Sequence, residues 1–179
     1  MAFAVKVVTG AIIIAYPNLL VPRPEGERID AGKFTLMGFV DKADKATITA
    51  LNNAFDQAAK NQWGDKVPGG LYRPLKDGDA KYAEDETKNA HYKGKVFFNA
   101  KSPSKPKVFD AQVQEIIDPA QIVSGDRAKL SLNVKAFDMP VNKGVGIYIT
   151  GVQILGRGPF VIGGTNPKDD FTASNDDVF

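Results

Sequence analysis

The sequence predicts a mainly β protein, a small antiparallel barrel with one inserted α-helix and long loops. Three observations carry this. Short β-branched and aromatic runs recur along the chain, one segment has clean helical periodicity, and the connections are rich in Gly and Pro. The length of 179 residues suits one domain with one sizeable core.

The elements follow in order. Residues 9–15 (TGAIIIA) read as a buried first strand ending near Tyr16-Pro17. Pro22, Pro24 and Gly26 mark a loop. Residues 33–40 (KFTLMGFV) read as a second strand. Residues 41–61 read as a helix, with Asp41 as its cap and Asp44 in the first turn. Ile48, Leu51, Phe55 and Ala58 share one face of it, and Trp63-Gly64 is the stop. Residues 67–90 read as a long loop. Strands follow at 95–101, 128–137 and 145–155, with a short one within 109–117. Strands and helices do not alternate, so a parallel βαβ sheet is disfavoured. The OB-fold is a small barrel of the predicted kind, and the fold class is OB-fold-like.

Charge is unevenly distributed. Residues 1–168 hold 23 basic and 17 acidic side chains, whereas residues 169–179 (DDFTASNDDVF) hold no basic and four acidic ones. A net +6 body followed by a −4 tail suggests a polyanion-binding domain over 1–168 and an acidic tail over 169–179. The absence of cysteine excludes disulfides and thiolate zinc sites and fits a cytoplasmic setting. The longest uncharged run, residues 7–22, is short of the roughly 20 apolar residues of a membrane span and is broken by Pro17, so no membrane association is expected.

The chemistry concentrates in residues 92–110, YKGKVFFNAKSPSKPKVFD. Tyr92, Lys93, Lys95, Phe97, Lys101, Lys105 and Lys107 lie there, with no acid before Asp110. Side chains on a strand alternate faces with period two. Val96, Phe98 and Ala100 therefore point to the core, and Lys95, Phe97, Asn99 and Lys101 form a cationic face carrying an exposed ring. Residues 129–137 repeat the layout. Leu130, Leu132, Val134 and Ala136 oppose Lys129, Ser131, Asn133, Lys135 and Phe137. Lysines attract a line of phosphates, and exposed rings stack on unpaired bases, so the combination suits single-stranded nucleic acid. Tyr72-Arg73 in the preceding loop flank the same groove.

Other motifs are weaker. Ser102-Pro103-Ser104-Lys105 matches S-x-x-K but sits in a Pro-bearing loop rather than at a helix start. Asp77-Gly78-Asp79 with Glu84-Asp85-Glu86 lacks EF-hand spacing and reads as a solvated loop. His91, the single histidine, beside Tyr92 and Lys93, suits a phosphate or base contact as well as a catalytic role. No acid-base pair stands out, so neither an enzyme nor a cofactor is expected. The rival readings are a virion structural or assembly protein and a metal-dependent nuclease.

The order of landmarks resembles phage and prophage single-stranded DNA-binding proteins with an OB-fold. The matching pieces are Tyr16-Pro17-Asn18-Leu19 with Pro22, Lys33-Phe34-Thr35-Leu36, Trp63-Gly64, and the run from Pro74 to Asp79. Tyr92-Lys93-Gly94, Phe98-Asn99-Ala100, Asp118, Ser124-Gly125, the run from Lys143 to Gly146 and the terminal Phe179 complete them. The resemblance implies sequence-independent binding of single-stranded DNA in phage replication or recombination. It also implies recruitment of replication or recombination proteins through the tail, with Asp169, Asp170, Asp176, Asp177 and Phe179 as the partner-binding residues.

Overall fold

The structure, a computed structural model, describes residues 3–26 and 30–163. The acidic stretch 169–179 therefore lies outside the described residues. Eight strands form one sheet: β1 (Val5–Val8), β2 (Ile12–Asn18), β3 (Phe34–Asp41), β4 (Lys76–Asp77), β5 (Lys95–Ser102), β6 (Lys107–Phe109), β7 (Arg127–Met139) and β8 (Asn142–Gly156). Two helices interrupt them, α1 (Lys45–Trp63) and α2 (Gly78–Glu84).

Five of the strands close on themselves in the order β2, β3, β5, β8, β7 and back to β2. The β3–β5 pair runs in unbroken antiparallel register from Phe34↔Ser102 to Asp41↔Lys95. The β7–β8 hairpin is longer still, with a bulge beside Ser131. Closure between β5 and β8 is parallel, through Lys101↔Tyr148. This five-stranded barrel with mixed pairing is OB-like, and the purely antiparallel expectation is corrected at β5–β8 and β6–β8. Its inner face is apolar, as period-two reading requires: Ile14, Leu36, Phe98, Leu130, Leu132, Val134 and Val145 are all buried.

The helix α1 lies between β3 and β5 in the chain and packs on β1 and β7. Leu51, Ala54, Phe55 and Ala58 join the barrel core from its buried face. Its start differs from the sequence expectation. Asp41 is still paired in β3 with Lys95, and its carboxylate accepts from Ala43 N at 2.8 Å in the turn that follows. Asp44 is the cap, its Oδ1 accepting from Thr47 N at 3.1 Å.

Three elements escaped the sequence, β1, α2 and the two-residue β4, and the short strand expected within 109–117 lies instead at β6, Lys107–Phe109. The strand β1 is four residues with only Val7 buried, so it offers little alternation to detect. The helix α2 is a seven-residue piece opened by Asp77-Gly78-Asp79, which reads as a turn because the same residues serve a turn and a helix cap. With the 3₁₀ turn at Ala90–Tyr92 it forms an insertion whose strand β4 pairs with the start of β5, where β8 does not reach.

One close approach fixes the β3–β5 pairing. Gly38 stands opposite Phe98, and a Cβ on it would lie 2.4 Å from the Phe98 ring. That ring is fully buried and has no free space to move into. Gly38→Ala is expected to lower unfolding stability by about 1–3 kcal/mol through overpacking. Urea denaturation checks this, and an unchanged midpoint contradicts it.

Candidate nucleic-acid interface

The outer face of β3 and β5 divides into two halves. At one end the insertion covers it. Phe39 and Phe97 lie opposite one another on the two strands, and Tyr92 closes over both. The ring centroids are 5.1 Å apart for Phe39–Tyr92 and 4.9 Å for Tyr92–Phe97, both edge-to-face. Ala15 and Ile162 complete this second small core. The sequence correctly put Phe97 on the outer face, but its ring is buried, 8% exposed, and so is Tyr92. The expectation of Phe97 as an exposed ring is corrected here, because a remote segment covers this end of the face.

The other end is open. Thr35 and Met37 of β3 and Asn99 and Lys101 of β5 floor a groove of about 850 Å3. Its walls carry four aromatic rings: Tyr16, Tyr72, Phe137 and Tyr148. Arg23 and Asp30, from the β2–β3 loop, and Asn142, at the start of β8, complete the rim.

Each ring is held by a specific local device. Tyr16 sits in a bulge of β2 at φ +48, a conformation rare for a residue with a Cβ. Its N–H donates to Ser124 Oγ at 2.9 Å, and its ring lies against the backbone of Gly163. From this bulge Tyr16 lines the groove, and the residue is 46% exposed. Tyr72 is docked by its backbone, donating to Lys143 O and accepting from Val145 N, both at 3.0 Å. Between those residues, Gly144 permits the approach, since a Cβ there would lie 2.6 Å from Tyr72. The docked Tyr72 ring meets that of Phe137 at 6.4 Å. Tyr148 projects from β8 next to Lys101, with the Lys135 ammonium 5.9 Å from its ring centre.

Of the residues singled out in the sequence, Tyr72, Lys101 and Phe137 line the groove, and Lys135 stands beside it over Tyr148. The others are dispersed. Lys129 shares the outer face of β7 with Lys135 but lies about 20 Å further along the strand. Lys95 is at the covered end, 4.0 Å from Asp41. Lys93 stands over the Tyr82 ring at 5.2 Å. Arg73 is paired with Asp56 of α1, and Lys107 with Glu115 at 2.9 Å. Lys105 is exposed in the connection after β5. The sequence reading missed Tyr16, Tyr148, Arg23 and Asp30. Tyr148 was detectable, flanked by buried Ile147 and Ile149 in a strand of alternating pattern.

The remaining motifs serve structure. Lys42 sits between Asp77, at 2.7 Å, and Asp79, at 2.5 Å. The ammonium, with backbone N–H donors, holds both carboxyls below the ordinary carboxylate range. No group of three or more metal-ligating side chains occurs among the described residues. Ser102 is buried and donates to Ser104 O at 2.6 Å within its turn. His91 packs on Phe39 and Tyr92 at the covered end, and its Nε2 has no hydrogen-bond partner.

A five-stranded OB-like barrel with a ring-lined, cation-bearing groove between its β2–β3 and β7–β8 loops defines the class of oligonucleotide-binding barrels. The sequence matches, over residues 5–179, the family described as Enterobacter phage Enc34, ssDNA-binding protein, and the chain belongs to that family. That family is one of DNA binders, not of enzymes. Solved structures share the fold. The single-stranded DNA-binding protein from bacteriophage Enc34 superposes with a TM-score of 0.66 at 17% identity, covering 92% of this chain and 89% of that one. The same protein in complex with ssDNA gives 0.68 at 18% identity, covering 89% of each chain. gp2.5, a single-stranded DNA-binding protein encoded by bacteriophage T7, gives 0.57 at 13% identity and 97% of each. None of the curated proteins matches the chain.

The covered end has its own pH signature. Burial lowers the His91 pKa from the ordinary imidazole value, so the unfolded chain binds that proton more readily than the folded one. This contribution to stability is intact above about pH 6.5 and is lost as pH falls below it. The melting temperature of the wild type is expected to drop between pH 7.5 and 5.5, and His91→Phe to flatten that drop. Equal drops in the two proteins contradict the assignment.

Proposed function

We propose that the groove between the two loops is where this chain binds single-stranded DNA, without sequence preference. The observation that carries the reading is the convergence of four rings, Tyr16, Tyr72, Phe137 and Tyr148, on the open half of the β3–β5 face. Unpaired bases expose flat faces to such rings at every sequence, and a duplex hides them. Lys101, Lys135 and Arg23 supply the positive charge for the backbone. Lys93, Lys95, Lys105, Lys107, Lys129 and Arg73 act as a peripheral field, while Phe97 and Tyr92 close the covered end of the face beside the groove. The ssDNA complex of the Enc34 relative, on the same fold, supports this reading.

Residues 1–168 are then the binding domain and 169–179 a partner-binding tail in phage replication or recombination. The carboxylates of Asp169, Asp170, Asp176 and Asp177 resemble phosphates, and Phe179 resembles a base. The tail thus competes with DNA for the groove and is released to partners when DNA binds.

Tyr148→Ala and Tyr72→Ala are each expected to weaken binding to an oligo-dT by about 1–3 kcal/mol, with the melting temperature retained. With at most three groove cations meeting phosphates, log K should fall with log salt at a slope no steeper than about −2. Titrations by fluorescence anisotropy check both, and unchanged affinity in both folded variants contradicts the assignment of the groove. Deletion of residues 169–179 is expected to tighten DNA binding, most at low salt. Weaker binding after deletion contradicts the competition.

A further inference from the structure

The groove holds an acid of its own. Asp30 is the sole carboxylate among its described lining residues, and it is three-quarters buried. Its Oδ1 lies 3.4 Å from Lys101 Nζ and 3.3 Å from Lys33 Nζ. A carboxylate oxygen shared between two ammonium groups makes the same charge-assisted contacts that a phosphate oxygen can make. The loop is built to put it there. Arg23 N donates to Lys33 O at 2.9 Å, and Gly32 N to Arg23 O at 3.0 Å, so the chain folds back over the rim. Asp30 itself adopts φ +55, and its carbonyl accepts from Lys33 N at 3.1 Å. Other acid–base pairs, such as Lys107–Glu115 and Arg73–Asp56, involve no groove-lining residue, and Asp30–Lys101 spans the site.

We propose that Asp30 is an internal phosphate surrogate, an autoinhibitory contact that DNA must displace from Lys101. This rests on the groove reading above. Binding must break the Asp30–Lys101 contact, which lowers affinity, and a cation already neutralised by Asp30 makes the salt response shallower than the number of groove cations implies. It also favours a strand with a phosphate correctly placed between Lys101 and Lys33 over a diffuse anion that cannot reach both.

The test is a set of anisotropy titrations of labelled oligo-dT with the full chain at several salt concentrations. Asparagine tolerates a positive φ, so Asp30→Asn keeps the loop while removing the charge. Should its melting temperature fall, Asp30→Gly replaces it. Removing the charge is expected to tighten binding at low salt by about three- to fivefold, the scale of an exposed ion pair. The log–log salt slope is expected to steepen by about 0.7. In a Lys101→Ala background, itself weaker than wild type, the tightening should vanish. Unchanged or weaker binding by Asp30→Asn overturns the proposal. So does an equal tightening in the Lys101→Ala background, which marks a general charge effect. If Lys101→Ala alone leaves affinity unchanged, the groove reading falls at this position, and the proposal falls with it.

Discussion

Barrel closure runs through the parallel contact of β5 with β8 at Lys101 and Tyr148. A parallel contact cannot be made by a hairpin, so the chain must travel from β5 through β6 and β7 before β8 returns. That route brings the long β7–β8 hairpin alongside the β3–β5 ladder. The hairpin carries Phe137 and Tyr148 to the open half of the face, and its turn receives the backbone of Tyr72. Three of the four groove rings therefore depend on one closure. Tyr16 depends on the other seam, where β2 meets β3 and the segment around Ser124 holds the bulge.

The insertion sets the limits of the groove. The outer face of β3 and β5 has the same alternation along its whole length, yet one end is a buried aromatic cluster and the other an open cleft. Phe39, Tyr92 and Phe97 gain burial and edge-to-face contacts, each pair contributing about 0.5–1.5 kcal/mol beyond area. Lys42, clasped by Asp77 and Asp79, and the bond from Gly94 N to Asp79 tie the insertion down to the barrel. Half the face thus stabilises the fold, and the other half is left to bind.

This division explains what the sequence could convey. Period-two alternation correctly sorted inner from outer residues on β5 and β7, because a strand's own geometry decides that. It could not tell an outer residue under solvent from one under another segment. The burial of Phe97 was illegible for that reason, and so were the ion pairs of Arg73 and Lys107, whose acidic partners are distant in the chain or across a turn. Tyr16 was legible only as the end of a strand; its role comes from a bulge at positive φ that no periodicity announces. The barrel class was readable from the count and spacing of strands, while the parallel pairings, β1, β4 and α2 were not. Lysine counts also overstate the charge a strand of DNA meets, since ion pairs already engage several of these lysines.

In the proposed binding mode, unpaired bases stack on the rings of the open half-face. Photo-crosslinking of an iodouridine-substituted oligo-dT to the full chain, read by mass spectrometry, tests it most directly. Adducts are expected at Tyr16, Tyr72, Phe137 and Tyr148. Adducts confined to α1, to α2 or to the Lys129 end of β7 would contradict it.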